Sequence, residues 1–184
     1  MKPVILSCSG VVLSASERKF FHNFNPFGFI LFGRNIQDKA QLNALCASLR
    51  EAVGRDCSIL IDQEGGRVRR MRPPHWPDYP SMKVIGDYDD KDRLIASVRG
   101  ISDDLNEVGI DVNCAPVLDV LFEKTHDAIG DRAFSHDPDI VGALGALACE
   151  CFINEGITPV IKHMPGQGRS TLDSHHDLPV VSAN

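Results

Sequence analysis

Two segments of the chain share one pattern, and that pattern indicates the fold. Asn106–Val112 has the sequence Asn-Glu-Val-Gly-Ile-Asp-Val, and Asn154–Val160 has the sequence Asn-Glu-Gly-Ile-Thr-Pro-Val. In each segment the end of an amphipathic stretch is followed by a glycine and then by a short, largely apolar run. Glycine just past the last helical turn is typical of a helix C-terminus. The pattern therefore predicts two units in which a helix leads into a buried strand.

The same alternation of helix and strand extends over the whole chain. Helical spacing of apolar residues predicts four helices, at about Ala15–Phe24, Asp38–Val53, Asp90–Val108 and Pro138–Asn154. Short apolar runs predict five strands, within Val4–Leu13, Gly28–Phe32, Ser58–Asp62, Gly109–Ala115 and Gly156–Lys162. Nearly continuous apolar strands between amphipathic helices are typical of a parallel sheet covered by helices. We expect an α/β fold in which residues 1–184 form one domain or part of one.

Composition excludes several classes of protein. With 43% hydrophobic and 24% charged residues, the chain is neither disordered nor membrane-spanning in character. A formal net charge of −6 provides no basic surface for nucleic acid or for an anionic membrane, so neither is an expected partner. The six cysteines form no Cys-x-x-Cys pair, which favours reduced, buried thiols in a cytoplasmic protein. Spacing typical of a zinc site is also missing, and we expect no metal and no cofactor.

Polar residues follow the predicted strands, where parallel α/β proteins build their sites. Asp62 follows the third apolar run and precedes Gly65-Gly66, which lets backbone approach a polar ligand closely. If a helix begins here, Arg67 and Arg70 share one of its faces. They then hold a ligand together with Asp62, or they form only surface ion pairs at a helix start.

Three further basic residues follow the fourth and fifth strands. Lys162 and His163 end the fifth run, where neighbouring side chains of a strand point to opposite faces. Their pairing favours a ligand site over a purely structural histidine. Arg132 lies in the connection Pro116–Asp137, where its forked donors suit hydroxyls or a carboxylate. An alternative for Arg132 is a loop brace to Asp131.

The segment Asp173-Ser174-His175 is the clearest candidate for catalysis. In an extended loop, residues two apart point the same way, so Asp173 reaches the ring of His175. A carboxylate that accepts from one imidazole nitrogen fixes the tautomer and makes the other nitrogen more basic. That is the arrangement of a proton-transfer group. The alternative is a surface loop with incidental polar residues, and His176 is interpreted as a bystander.

Taken together, these segments resemble the family three glycoside hydrolases, specifically the bacterial β-N-acetylglucosaminidases of peptidoglycan recycling. The matching segments occur in the family's order and are Gly28–Asn35, Asp62–Arg70, Val108–Asp111, Ala115–Val120, Gly130–Phe134 and Lys162–Pro179. The resemblance implies a (β/α)₈ barrel that hydrolyses terminal β-linked N-acetylglucosamine from muropeptide fragments with retention of configuration. It implies sugar contacts by Asp62, Arg70, Arg132, Lys162 and His163. It also implies that His175 is the general acid/base and that Asp173 assists it, in place of the usual second carboxylate.

The length of the chain departs from this family pattern. A barrel of this type needs about 250 residues, and only about five βα units are counted here. The nucleophilic aspartate implied by the resemblance lies beyond Asn184. We therefore expect the N-terminal portion of a barrel, either a fragment or a half completed by a second chain through its exposed edge. The alternatives are a non-catalytic sugar-binding or interaction module and a Schiff-base aldolase that uses Lys162.

Overall fold

A single parallel sheet of five strands organises the chain. The computed structural model describes residues 1–181. The strands are β1 (Lys2–Leu6), β2 (Pro26–Leu31), β3 (Ser58–Ile61), β4 (Val112–Asn113) and β5 (Thr158–Pro159). They lie side by side in chain order, and each neighbouring pair is parallel.

Five helices occur along the same part of the chain. They are α1 (Ala15–Phe24), α2 (Lys39–Val53), α3 (Met82–Gly86), α4 (Lys91–Val108) and α5 (Pro138–Asn154), and single 3₁₀ turns cover Gly33–Asn35 and Gly130–Arg132. Parallel strands in chain order with helical connections are the arrangement of consecutive units in a (β/α)₈ barrel. The predicted α/β fold of five units is confirmed.

Local capping chemistry explains why the helix bounds were predictable. Ser14 accepts a hydrogen bond from the Glu17 backbone, and Glu17 reaches back to Ser14, so α1 begins at a capping box. Asp38 and Asp90, predicted as the first residues of α2 and α4, are their N-caps. Gly109 ends α4 in the left-handed region with a φ of 78°, which favours glycine.

The strands are shorter than the predicted apolar runs. The first run, predicted to extend to Leu13, leaves the sheet after Leu6. Residues 156–162 contribute only Thr158–Pro159 to the ladder. Proline has no N–H to donate, so Pro159 offers its neighbours only an acceptor. The stretch between the predicted strand Ser58–Asp62 and the predicted helix Asp90–Val108 contains the short helix α3, which the sequence pattern did not reveal.

The main hydrophobic core lies between the sheet and the helices. Phe29 and Leu31 of β2 and Ile59 and Ile61 of β3 are completely buried, as are Leu42 and Leu49 of α2 and Leu94 and Leu105 of α4. Alternate residues of a strand face the same side, so one face of β2 and β3 packs on the helices. This packing fixes the carboxyl ends of the strands, where the predicted site residues lie.

The two outer strands keep apolar side chains partly exposed. Val4 and Ile5 in β1 are 39% and 42% exposed, and Val160 and Ile161, just past β5, are 39% and 44% exposed. Completion of the barrel by a second chain that pairs with one of these exposed edges remains a prediction. Within residues 1–181, no helix has the length and apolar character needed to cross a membrane.

Candidate functional site

A cavity of 510 Å³ lies at the carboxyl ends of β3, β4 and β5. We call it the sugar cavity, after the ligand expected from the sequence. Its walls come from the loops that follow these three strands. All seven residues predicted for the site line it: Asp62, Arg70, Arg132, Lys162, His163, Asp173 and His175. The structure therefore brings together residues that are up to 113 positions apart in the chain.

Asp62 is held between two cations. Its Oδ1 accepts from Lys162 Nζ at 2.8 Å, and its Oδ2 accepts from Arg70 Nη2 at 3.0 Å. Burial alone would raise the pKa of Asp62, but the bonds and charges of Lys162 and Arg70 hold it below the ordinary value of 3.8. Asp62 is therefore a charged acceptor at neutral pH.

Glu64 is the principal buried acid of the site. It is only 3% exposed and accepts two bonds of 2.9 Å each from Arg132. Lys162 Nζ lies 2.5 Å from the same carboxylate. Glu64 was not singled out as a site residue from the sequence. Its signal is the spacing of two residues from Asp62, which in an extended segment directs both carboxylates to one side.

His163 is fixed in one tautomer by its two neighbours. Its Nε2 lies 3.1 Å from Arg132 Nη2, and its Nδ1 lies 2.6 Å from Asp119 Oδ2. Because a guanidinium only donates, Nε2 must accept, and the ring proton is assigned to Nδ1, which donates to Asp119. His163 is therefore a neutral ring with both nitrogens engaged.

Asp119 positions this part of the site and was not singled out as a site residue from the sequence. It is 2% exposed, and besides His163 it accepts from the backbone N–H of Gln167 at 2.5 Å. Although burial would raise its pKa, the bonds from His163 and Gln167 hold the pKa of Asp119 below 3.8. Asp119 thus connects the ring of His163 to the start of the loop that carries Asp173 and His175.

Lys162 and His163 do not face opposite sides, so that prediction is wrong. Both side chains line the sugar cavity. The regular part of β5 ends at Pro159, and Lys162 forms only an isolated bridge with Val117. Strict alternation of side chains requires a continuous strand, and the chain has left that geometry before it reaches Lys162.

The arginines after β3 are also arranged differently from the helical prediction. The segment from Gly65 turns back on itself through a bridge between Gly65 and Val68, and no helix begins there. Arg70 binds Asp62, whereas Arg67 binds Asp131 at 2.6 Å and the carbonyl of Asp127. Arg67, and not Arg132, therefore pairs with Asp131, and Arg132 pairs with Glu64 instead.

Asp173 and His175 form the predicted pair. The Nδ1 of His175 lies 2.6 Å from Asp173 Oδ1, and the His175 backbone N–H donates to the same oxygen at 2.9 Å. These bonds hold the pKa of Asp173 below 3.8. The side chain of His175 is 81% exposed and borders the sugar cavity, whereas His176 does not line it. The Nε2 of His175 has no hydrogen-bond partner among the described residues, in contrast to that of His163.

Residues 6–184 match the model of the glycosyl hydrolase family 3 N terminal domain. The chain belongs to glycosyl hydrolase family 3. The resemblance inferred from the sequence segments is confirmed, and so is the interpretation of the fold as a barrel portion of this family.

The chain is 34% identical over 184 residues to the Beta-hexosaminidase of Bordetella avium (strain 197N), and the match covers 97% of this chain and 52% of that protein. A family 3 β-N-acetylglucosaminidase from Paenibacillus sp. str. FPU-7 superposes with a TM-score of 0.89 at 31% identity over 95% of this chain and 34% of that one. NagZ from Neisseria gonorrhoeae in complex with N-trifluoroacetyl-D-glucosamine superposes with a TM-score of 0.88 at 31% identity over 97% of this chain and 54% of that one. The chain spans about half the length of the curated relatives it matches.

The cavity of this family 3 chain contains no carboxylate that is free of partners within residues 1–181. Asp62 and Glu64 are each bound by two cations, and Asp173 is bound by His175. Charge neutralisation on both sides weakens a carboxylate as a nucleophile. In the same part of the chain, no group of three or more His, Cys, Asp and Glu side chains is arranged to hold a metal ion. The arrangement therefore offers polar contacts for a small polyhydroxylated ligand and one imidazole suited to proton transfer.

Proposed function

We propose that this chain is the sugar-binding and acid/base portion of an enzyme that hydrolyses terminal β-linked N-acetylglucosamine with retention of configuration. The observation that carries the proposal is one cavity bordered both by the cluster of Asp62, Arg70 and Lys162 and by the Asp173–His175 pair. Family membership and the names of the relatives support the same reaction.

The sugar is held by groups that are already charged and oriented. Asp62 accepts hydrogen bonds from hydroxyls of the sugar ring, either in addition to its bonds from Lys162 and Arg70 or in place of one of them. Arg70, Arg132 and Lys162 donate hydrogen bonds to hydroxyl oxygens of the sugar. Their mutual ion pairs fix these side chains before the sugar arrives, which lowers the entropy lost on binding. His163 presents a fixed ring edge rather than a mobile cation.

His175 performs the proton transfers. In the first step its Nε2 gives a proton to the glycosidic oxygen as the bond from that oxygen to the anomeric carbon breaks. In the second step the same nitrogen removes a proton from water, whose oxygen then bonds to the anomeric carbon. Asp173 accepts from Nδ1 throughout, so that the ring keeps one orientation in both steps.

Retention requires a nucleophile that bonds to the anomeric carbon as the glycosidic bond breaks in the first step and is displaced by the water oxygen in the second. The resemblance to family 3 implies an aspartate on a later strand of the same barrel in this role. In keeping with that, every carboxylate that lines the cavity within residues 1–181 is already bound by cations or by His175. The chain itself is then expected to bind the sugar without hydrolysing it. We further propose muropeptide fragments in the cytoplasm as the substrate, a choice supported by the bacterial β-hexosaminidases that the chain resembles and by its six free cysteines.

Calorimetric titration with N-acetylglucosamine tests the sugar-binding part on the chain itself. Asp62→Asn removes the charge that holds Lys162 and Arg70, and we expect affinity to fall at least about tenfold, since hydrogen bonds to charged groups contribute about 1.5–3 kcal/mol. Asp56→Asn is the matched control, because Asp56 is 91% exposed, pairs with Arg50 and does not line the cavity. Equal affinities of the two variants for the sugar would refute the role of Asp62.

Hydrolysis of a chromogenic N-acetyl-β-glucosaminide by a longer natural form that includes the rest of the barrel tests the catalytic part. His175→Ala is expected to lower kcat by about 10²–10⁴, the usual contribution of a general acid/base. His176→Ala, at the next position and outside the cavity, is expected to retain activity. An unchanged rate for His175→Ala would exclude His175 as the acid/base.

Two other functions make different predictions. A sugar-binding module binds N-acetylglucosamine, and no longer natural form of it hydrolyses the glycoside. A Schiff-base aldolase needs a neutral Lys162, yet its ammonium contacts Asp62 at 2.8 Å and Glu64 at 2.5 Å. Trapping with borohydride and a carbonyl substrate, followed by mass measurement, would reveal such an adduct on Lys162.

A further inference from the structure

A second cavity, of 640 Å³, lies beside the sugar cavity and shares Arg70 with it. Its walls come from the loop after β2, including Phe32 and Gln37, and from the loop after β3, including Arg69, Arg72 and His75. Its volume is within the range of about 300–1,000 Å³ that is usual for small-molecule sites. We call it the arginine cavity.

The lining of the arginine cavity is basic, although the chain is acidic overall. Three arginines and one histidine line it, and no aspartate or glutamate does, whereas the formal net charge of the chain is −6. Arg70 is bound to Asp62, and Arg69 is bound to Asp78 at 2.8 Å. These two ion pairs partly neutralise the positive charge of the lining, so the remaining charge comes mainly from Arg72.

Arg72 is the cation of this cavity that has no acid partner among residues 1–181. Its Nε donates to the carbonyl of Arg69 at 3.1 Å, which orients the guanidinium. Its two terminal nitrogens have no hydrogen-bond acceptor in the same part of the chain. A guanidinium with two free parallel donors suits a carboxylate or a phosphate, which it binds with two hydrogen bonds.

The position of the arginine cavity relative to the sugar follows from the sheet order. The sugar cavity is built from the loops after β3, β4 and β5, whereas the arginine cavity is built from those after β2 and β3. Arg70 lines both cavities, Asp62 lines the sugar cavity and binds Arg70 there, and His175 lies on the β5 side. Since His175 acts at the anomeric carbon in the proposed function, Asp62 and Arg70 hold the opposite edge of the sugar. The arginine cavity therefore adjoins the non-reducing edge and not the leaving group.

We propose that the arginine cavity binds an anionic group, a carboxylate or a phosphate, carried on the sugar edge that Asp62 and Arg70 hold. The anion bonds to the terminal nitrogens of Arg72, and His75 and Gln37 are further donors in the same lining. The link to the sugar rests on the proposed function. The anion site itself rests on Arg72 and on a lining without acids.

Titrations of the chain at low salt test the proposal with four probes. They are N-acetylglucosamine, its 6-phosphate, its 6-carboxylate (the uronic acid) and inorganic phosphate. We expect at least one anionic sugar to bind about tenfold or more tightly than N-acetylglucosamine, and the better of the two identifies the preferred anion. Arg72→Gln is expected to remove this advantage. Arg99→Gln, an exposed arginine of α4 paired with Glu155, is the matched control and is expected to keep it.

The outcomes separate the two proposals. Anionic sugars that bind no more tightly than N-acetylglucosamine, or an advantage that survives Arg72→Gln, would overturn the anion site and leave the proposed function intact. Binding of inorganic phosphate that depends on Arg72, without any binding of N-acetylglucosamine, would support the anion site and refute the sugar-binding proposal.

Discussion

Replacing Glu64 by glutamine is expected to cause a large loss of stability. The change keeps the size of the side chain and removes its charge. It leaves Arg132 and Lys162, whose side chains are only 14% and 13% exposed, facing a neutral amide. The NH₂ group of that amide, which can only donate, must face one of the two cations, so at least one of their present contacts is lost.

The magnitude follows from the burial of this cluster. Removing one partner of a buried ion pair costs about 3–5 kcal/mol, because a charge remains in a poorly solvated place. For a chain of this size, each kcal/mol lowers the melting temperature by about 2–4 °C. We therefore expect Glu64→Gln to melt about 6–20 °C below the unmodified protein.

Glu51→Gln provides the matched control. Glu51 pairs with Arg18 at 3.1 Å, as Glu64 pairs with Arg132 at 2.9 Å. The side chains of Glu51 and Arg18, however, are 77% and 40% exposed. Exposed pairs contribute about 0–1 kcal/mol, so the same chemical change should have little effect there.

Urea denaturation followed by circular dichroism measures both variants. The midpoint should fall for Glu64→Gln at an unchanged slope, which shows that stability changed and not the extent of unfolding. If Glu64→Gln loses less than about 1 kcal/mol, or no more than Glu51→Gln, the view of Glu64 as a buried counter-ion of the site is wrong.

Two further predictions concern stability away from the cavity. In α5, an added Cβ at Gly142 meets nothing within 4 Å, whereas at Gly145 it lies 2.3 Å from Leu118. Gly142→Ala should therefore stabilise the fold by about 0.5–1 kcal/mol, measured by urea denaturation, and Gly145→Ala should not. Partial burial raises the pKa of Glu17, but hydrogen bonds from Ser14 and Ser9 lower it to about 2 from 4.5. A carboxyl group whose pKa is lower in the folded than in the unfolded protein stabilises the fold at any pH above its unfolded pKa. The free energy of unfolding that Glu17→Gln loses, about 1 kcal/mol at pH 7, should therefore persist down to pH 4.5 and vanish towards pH 2. A loss that is independent of pH would contradict this.

The helices were predictable because their signals are local. The amphipathic repeats and the caps at Ser14, Asp38 and Gly109 lie within a few residues of the helix ends that they set. Strand lengths were less predictable, because a ladder extends only as far as the neighbouring strand also extends. The apolar run through Val160 and Ile161 looks like a strand from its composition, yet the ladder has already ended at Pro159.

The site shows the same division between local and distant causes. Residues at strand ends were found because parallel strands bring their carboxyl ends to one edge. The importance of Glu64 and Asp119 was missed, because each is defined by a partner that arrives from elsewhere: Arg132 for Glu64, and His163 for Asp119. Sequence spacing gives no measure of such distant pairing.

The contact between Asp62 and Lys162 joins positions 100 residues apart in the chain. Closing such a long loop is slow relative to the formation of local helices, so we expect this contact to form late in folding. An intermediate with β1 to β4 in place but β5 undocked has Asp62 and Glu64 without their ammonium partner. Stopped-flow refolding in the presence of a fluorescent N-acetylglucosamine derivative would then show ligand capture lagging behind the recovery of helical signal. The rate of ligand binding during refolding would thus report the docking of β5, the last step in which this part of the barrel assembles.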